Sequence, residues 1–267
     1  MTTVDTGTDK MLAHAEGGIG WMTYNNPARL NAMSYDMQLA VPRILGAFAA
    51  DPDVHVLVVR GAGERAFVSG ADISEFSEKR TTVAARADYD EALAVAWASW
   101  RTVDKPIIAM IRGYCIGGGL MTAMKTDIRI AAAGSEFAIP AAKLGLGYGY
   151  GGVEELIALV GPAWAAEILF SARRLSAEEA LRIGLVNRVV AVDELEPAVR
   201  ELAATIAANA PLTVKAAKAA IREAQRDPSA RDLDAVERLV EACFRSADYL
   251  EGQAAFAEKR APRFRGE

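Results

Sequence analysis

Apolar positions fall along this chain in two regimes. Up to about residue 153, short apolar runs of strand length alternate with helical patterns. Beyond it the pattern is helical, with one short strand signal near Val186 to Val190. Met11 to Tyr24 reads as two strands around the turn Glu16-Gly17-Gly18. Ser34 is a good N-cap for a helix that Asp51-Pro52 ends and that Pro42 should kink. Val54 to Arg60 is rich in valine and hardly alternates, which predicts a strand buried on both faces. Gly61 to Asp72 reads as a loop and Asp88 to Arg101 as a helix. A buried strand, Ile107 to Ile111, then feeds a glycine turn and a helix from Leu120 to Lys125. Strand patterns follow at Ile128 to Ala132 and Phe137 to Ile139. Strands alternating with helices, then helices alone, predict an α/β core over 1–193 and a helical region over 194–267.

Composition narrows the picture. With 267 residues, 52% of them hydrophobic, the chain can bury a substantial core. A net charge of −5 gives no general pull toward nucleic acid or an anionic membrane. The basic cluster Lys259, Arg260, Arg263 and Arg265 reads as a solvated end. Cys115 and Cys243 are too few and too far apart for a disulfide framework or a zinc site, and no metal site is expected. The first ten residues are polar, and no apolar stretch reaches the roughly 18 residues of a membrane span. A cytoplasmic protein is the expectation.

Candidate chemistry concentrates in Gly113-Tyr114-Cys115-Ile116-Gly117-Gly118-Gly119-Leu120-Met121. Glycines between an apolar strand and a helix let backbone N–H groups approach an anionic group at the positive end of the helix dipole. An oxyanion or a phosphate fits such a turn. A second small-residue cluster, Ser69-Gly70-Ala71-Asp72, precedes it in the loop. A dinucleotide-binding reading fails, because no glycine fingerprint follows the first strand with an acid about 20 residues on.

The chain resembles the crotonase (enoyl-CoA hydratase/isomerase) superfamily over nearly its whole length. Seven segments in order carry the resemblance. The first four are Asn26-Pro27-Ala28-Arg29-Leu30-Asn31-Ala32, Ala66-Phe67-Val68-Ser69-Gly70-Ala71-Asp72-Ile73, Ile111 to Gly119, and Asp127-Ile128-Arg129. The others are Phe137-Ala138-Ile139-Pro140, Ala180 to Asn187, and Phe256-Ala257-Glu258-Lys259-Arg260. The resemblance implies a spiral of strand-strand-helix units, a C-terminal helical region, and a homotrimer or homohexamer. It also implies an acyl-CoA substrate whose thioester enolate is held by the N–H groups of Ala71 and Gly118. Coenzyme A, carried as part of the substrate, would meet Ala28 and Arg29, the carbonyls of Ala66 and Ser69, and Asp72-Ile73. Phe256 and Lys259 would reach it across a subunit boundary, an aromatic face and an ammonium suiting adenine and its phosphate. Family members that bind RNA do so through a lysine-rich helix, and Asp88 to Arg101 has no lysine.

The departures from the family pattern bear on the reaction. Hydratases of the family hold water between two glutamates, and those positions fall here on Met121 and Ala141. A third position, an aspartate in some isomerases, falls on Gly149. Glu136, Glu154 and Glu155 are the nearest acids in sequence, Glu136 expected to point away from the pocket and the other two to start a helix. Tyr148 occupies the place where family decarboxylases acting on malonyl-type thioesters carry a tyrosine; the alternative is that Tyr148 and Tyr150 only wall the acyl pocket. Three readings follow: an enolate-stabilising enzyme without the two-glutamate chemistry, a decarboxylase-like lyase using Tyr148, and a silent acyl-CoA-binding protein.

Overall fold

A computed structural model describes residues 1–72, 74 and 83–267, which leaves Ile73 outside the described residues. Strands β1 (Thr2–Thr3), β2 (Met11–Glu16) and β3 (Ile19–Tyr24) form an antiparallel edge of a seven-stranded sheet. Parallel to β3 run β4 (Val56–Gly61), then, further along the chain, Ile107–Ile111, Ile128–Ala132 and Arg188–Val190. Val56 to Val59 and Ile107 to Ala109 are fully buried, as befits parallel strands covered on both faces.

A second, four-stranded sheet is built from pieces that show no period in the sequence. β5 (Ala66–Val68) lies inside the stretch that reads as a loop. After β6 (Ile107–Ile111), β7 (Tyr114–Ile116) lies inside the glycine turn. After β8 (Ile128–Ala132) comes β9 (Glu136–Ala138), and β10 (Leu175–Ser176) completes the order β10-β9-β7-β5. So β6 does not feed the helix directly; the chain first crosses to the small sheet.

Three turns of a spiral result. Each lays one strand in the large sheet, one in the small sheet, and then a helix. α1 (Tyr35–Ala50) precedes them, and the helices of the three turns are α2 (Val83–Ser99), α3 (Gly118–Met124) and α4 (Tyr150–Ser171). At the corner between β6 and β7, Gly113 has φ 69° and lies so close to Arg65 that a Cβ would overlap its carbonyl. That carbonyl accepts the Tyr114 N–H at 3.0 Å, which fixes β7 beside β5.

Ser34 caps α1 by accepting the Met37 N–H, and α1 is helical from end to end through Pro42. α4 begins at Tyr150, earlier than the apolar pattern indicates, and breaks at Gly161 (φ 76°) before Pro162. α5 (Ala177–Arg182) starts with a capping box between Ser176 and Glu179, and β11 (Arg188–Val190) closes the large sheet. The main core fills the space between α1, the large sheet and the small sheet. On the sheet's other face, Leu195, Val199 and Ala203 of α6 (Leu195–Ala207) pack on Trp21, Val58, Ile108 and Ile130.

Helices α7 (Pro211–Ala224), α8 (Leu233–Arg245) and α9 (Ala247–Glu258) end the chain. Lys218 of α7 is tied to the strand ends, donating to the Lys105 carbonyl and to Asp127, each at 2.7 Å. Among the described residues no helix is long and apolar enough to cross a membrane.

Candidate active site

β5 and β7 are parallel neighbours, with Ala66 opposite Tyr114, so their C-terminal ends open on one edge of the small sheet. The loop after β5 carries Gly70-Ala71-Asp72, and the turn after β7 carries Gly117-Gly118. Met33 pairs with Ala71 as a parallel bridge: its N–H donates to Gly70 O at 2.8 Å, and its carbonyl accepts the Asp72 N–H at 2.9 Å. In such a pairing the flanking groups are used, and the N–H of Ala71 itself points away from Met33. Gly118 is the first residue of α3, and its N–H has no partner inside the helix. Neither N–H donates to an acceptor among the described residues. A Cβ built on Gly118 would lie 3.7 Å from Ala71 N, which makes the two donors neighbours. At the next residue, Gly119, a Cβ would overlap the Val68 carbonyl, so α3 can start this close to β5 only without a side chain there.

One sheet edge thus offers two adjacent backbone donors to an anionic oxygen. Their loop is held from below by Asn31, which is fully buried with φ 55°. Its amide donates to the carbonyls of Ala62 (2.9 Å) and Ala66 (2.8 Å), and its Oδ1 accepts the Asn26 N–H (2.9 Å). The Ala66 carbonyl, expected to meet coenzyme A, therefore already serves this clamp. Ser69 donates from its N–H to Leu30 O at 3.2 Å.

Ala28 is exposed in the short turn Pro27–Arg29, and Arg29 lies beside Asp72. The Arg29 guanidinium is 3.2 Å from Asp72 Oδ2 and donates to Ser74 Oγ at 2.6 Å. Partial burial pushes the Asp72 carboxyl up, but hydrogen bonds from Ser74 and the Arg29 charge outweigh it and hold the group below the usual range. Phe256, 89% exposed, and the exposed Lys259 lie at the far end of α9. Among the described residues of one chain no contact places them with the Arg29 loop.

Met121, Ala141 and Gly149 carry no acid. Met121 is one turn along α3 from Gly118, and both Met121 and Ala141 are half-buried against the main core. Pro140, next to Ala141, is 3.8 Å from where a Gly117 Cβ would be, so this turn adjoins the donor loop. Gly149 serves as the N-cap of α4. Glu136 is bound to Arg174 at 2.7 Å, and Glu154 is exposed. Glu155 pairs with Lys125 at the end of α3 and lies 3.6 Å from Arg101. The Tyr148 ring packs on Gly152, and its hydroxyl is buried with no partner among the described residues. Burial, and then the charge of Glu155, push the Tyr148 phenol above its ordinary pKa. At neutral pH it is a donor, not a base.

Comparison with known proteins follows the same lines. The sequence profile described as enoyl-CoA hydratase/isomerase matches residues 14–267. The chain is 35% identical over 252 residues to a short-chain-enoyl-CoA hydratase of Clostridium acetobutylicum, covering 94% of this chain and 96% of the relative. It is 36% identical over 258 residues to a carnitinyl-CoA dehydratase of Salmonella typhi, covering 94% and 96%. Among solved structures, an enoyl-CoA hydratase/carnithine racemase from Magnetospirillum magneticum superposes with a TM-score of 0.89 at 37% identity, over 97% of each chain. An enoyl-CoA hydratase from Bacillus anthracis gives 0.90 at 30% identity, over 97% of this chain and all of that one.

Proposed function

The chain belongs to the enoyl-CoA hydratase/isomerase family, and from that premise we propose that it stabilises the enolate of an acyl-CoA thioester between the N–H groups of Ala71 and Gly118. The observation that carries this is the pair of neighbouring donors, unpartnered among the described residues, at the shared edge of β5 and β7. When a proton or carbon dioxide leaves the α-carbon, the bonding electron pair stays behind and delocalises onto the thioester oxygen. Fixed donors at that oxygen need no reorganisation, and losing one typically costs about 3 kcal/mol of transition-state stabilisation. Arg29, held by Asp72 and Ser74 on the same loop system, supplies a fork-shaped cation for the coenzyme's phosphates. Phe256 and Lys259 would join from a neighbouring subunit of a trimer or hexamer, with coenzyme A entering only as part of the substrate.

Addition of water is not the reaction this site favours. Met121 and Ala141 can neither position nor deprotonate water, and general acid–base help is worth about 10²–10⁴-fold per group. Turnover of a panel of acyl-CoA thioesters, followed by mass spectrometry, tests the reading. Binding is expected across the panel, with crotonyl-CoA hydrated far below the efficiency of a two-glutamate enzyme. Hydration at that efficiency would show another acid in place, with Glu154 and Glu155 the first to replace. No affinity for any acyl-CoA at millimolar concentration would remove the reading altogether.

The buried, unpartnered Tyr148 hydroxyl favours a second reading, a decarboxylase-like lyase. Loss of carbon dioxide from a malonyl-type thioester breaks the C–C bond and leaves its electron pair as the enolate, so no base is needed. In that reading the phenol would donate a hydrogen bond to the leaving carboxylate or to the enolate. Carbon dioxide release from malonyl-type members of the panel separates this from the first reading, and binding without any turnover would leave a silent acyl-CoA-binding protein.

A further inference from the structure

Met33 touches both halves of the donor pair. Its backbone brackets Ala71, with the N–H on Gly70 O and the carbonyl on the Asp72 N–H. Its side chain crosses to α3, where the methyl group fills the place a Gly118 Cβ would occupy. The remaining neighbours of that Cβ position, Ala71 N at 3.7 Å and Gly70 C at 3.8 Å, are at ordinary contact distance. Of the three atoms nearest that position, the Met33 methyl alone lies inside ordinary contact distance.

A methionine is ordinarily adaptable, with three rotatable side-chain bonds. Here it is fixed at the sulfur. Gln38 Nε2 donates to Sδ at 3.4 Å and Thr122 Oγ1 lies 3.7 Å from it, with all three side chains buried. Gln38 belongs to α1 and Thr122 to α3, so the thioether is gripped from two helices. The single Thr122 hydroxyl hydrogen goes to the nearer Gly118 carbonyl at 3.0 Å, so the oxygen packed against the sulfur is itself held by the residue whose N–H is used.

We propose that Met33 is a positioning residue that sets the spacing between the Ala71 and Gly118 N–H groups: its backbone holds one donor and its locked thioether holds the other. This rests on the oxyanion reading above. A leucine would keep most of the apolar volume but is shorter and offers Gln38 no acceptor. An alanine would leave Gly118 unsupported while the backbone bridge to Ala71 remained.

The test is the stretching frequency of an isotope-labelled thioester carbonyl in bound acyl-CoA, with affinity measured alongside. In the wild type two aligned donors lower the frequency relative to free acyl-CoA. Met33→Ala is expected to lose most of that lowering while its affinity stays within about threefold, because the coenzyme contacts lie elsewhere. Met33→Leu, which keeps the core filled, is expected to fold as the wild type does and to show a partial loss. On a substrate that turns over, both variants should lose kcat, by up to about 10²-fold for Met33→Ala, with KM little changed. Full carbonyl lowering in either folded variant would overturn the role given to Met33. Absence of lowering in the wild type would instead overturn the oxyanion reading, and this inference with it.

Discussion

Tyr148 is the residue on which stability and chemistry give opposite answers. Its hydroxyl is buried without a partner among the described residues, and a buried donor in that condition costs about 1–3 kcal/mol. Tyr148→Phe should therefore raise the unfolding free energy by about 1 kcal/mol in urea titrations. If the lyase reading holds, the same variant should cut turnover at least about tenfold with acyl-CoA affinity little changed. A more stable variant with unchanged turnover would make Tyr148 a pocket wall. At this scale the glycines are legible from local spacing, and the acids missing at Met121 and Ala141 only through the family resemblance. The sequence does not show Met33 or Asn31. The Asn31 amide reaches the carbonyls of Ala62 and Ala66, more than thirty positions away, and the Met33 sulfur faces Thr122 at a separation of 89. No local pattern encodes such contacts.

Among the elements, long and strongly patterned segments are the legible ones. α1 with its Ser34 cap, β4, β6 and β8 fall where apolar pattern and turn residues place them. The small sheet does not, since strands of two or three residues cannot display a two-residue period, and it is their alignment that brings Ala71 to Gly118. α4 starts early because Gly149 caps it, a choice that the run of glycines conceals. The C-terminal segment offers a test at this scale. It folds back on α9, where Glu251 binds Arg260 at 2.6 Å and accepts the Arg263 N–H at 2.8 Å. The side-chain bond from Arg260 comes first, then the Arg263 amide, and together they bring the Glu251 carboxyl down to about 2. A carboxyl depressed in the folded state stabilises above its ordinary value and loses that contribution as pH falls. The stability difference between wild type and Glu251→Gln should be full above the ordinary 4.5 and should shrink as pH falls toward about 2. A difference independent of pH over that window would mean that the charge of Glu251 does not hold the segment.

For the whole molecule, the last two helices carry apolar surface that the single chain does not cover. Leu233, Val240 and Phe244 of α8 and Leu250 and Phe256 of α9 are exposed, Phe256 almost completely. Such a surface is characteristic of a subunit contact. Light scattering is expected to give three or six times the mass of one chain, and a monomer at micromolar concentration would contradict the proposed assembly, in which Phe256 and Lys259 would meet a neighbour's coenzyme. The whole protein is also where the central claim meets its most direct measurement: the infrared band of the labelled thioester carbonyl in acyl-CoA bound to the wild type. Donors from Ala71 and Gly118 on that oxygen predict a frequency clearly below that of free acyl-CoA, with no carboxylate titration altering it. A bound carbonyl that absorbs where the free one does would contradict the account, however tightly the thioester binds.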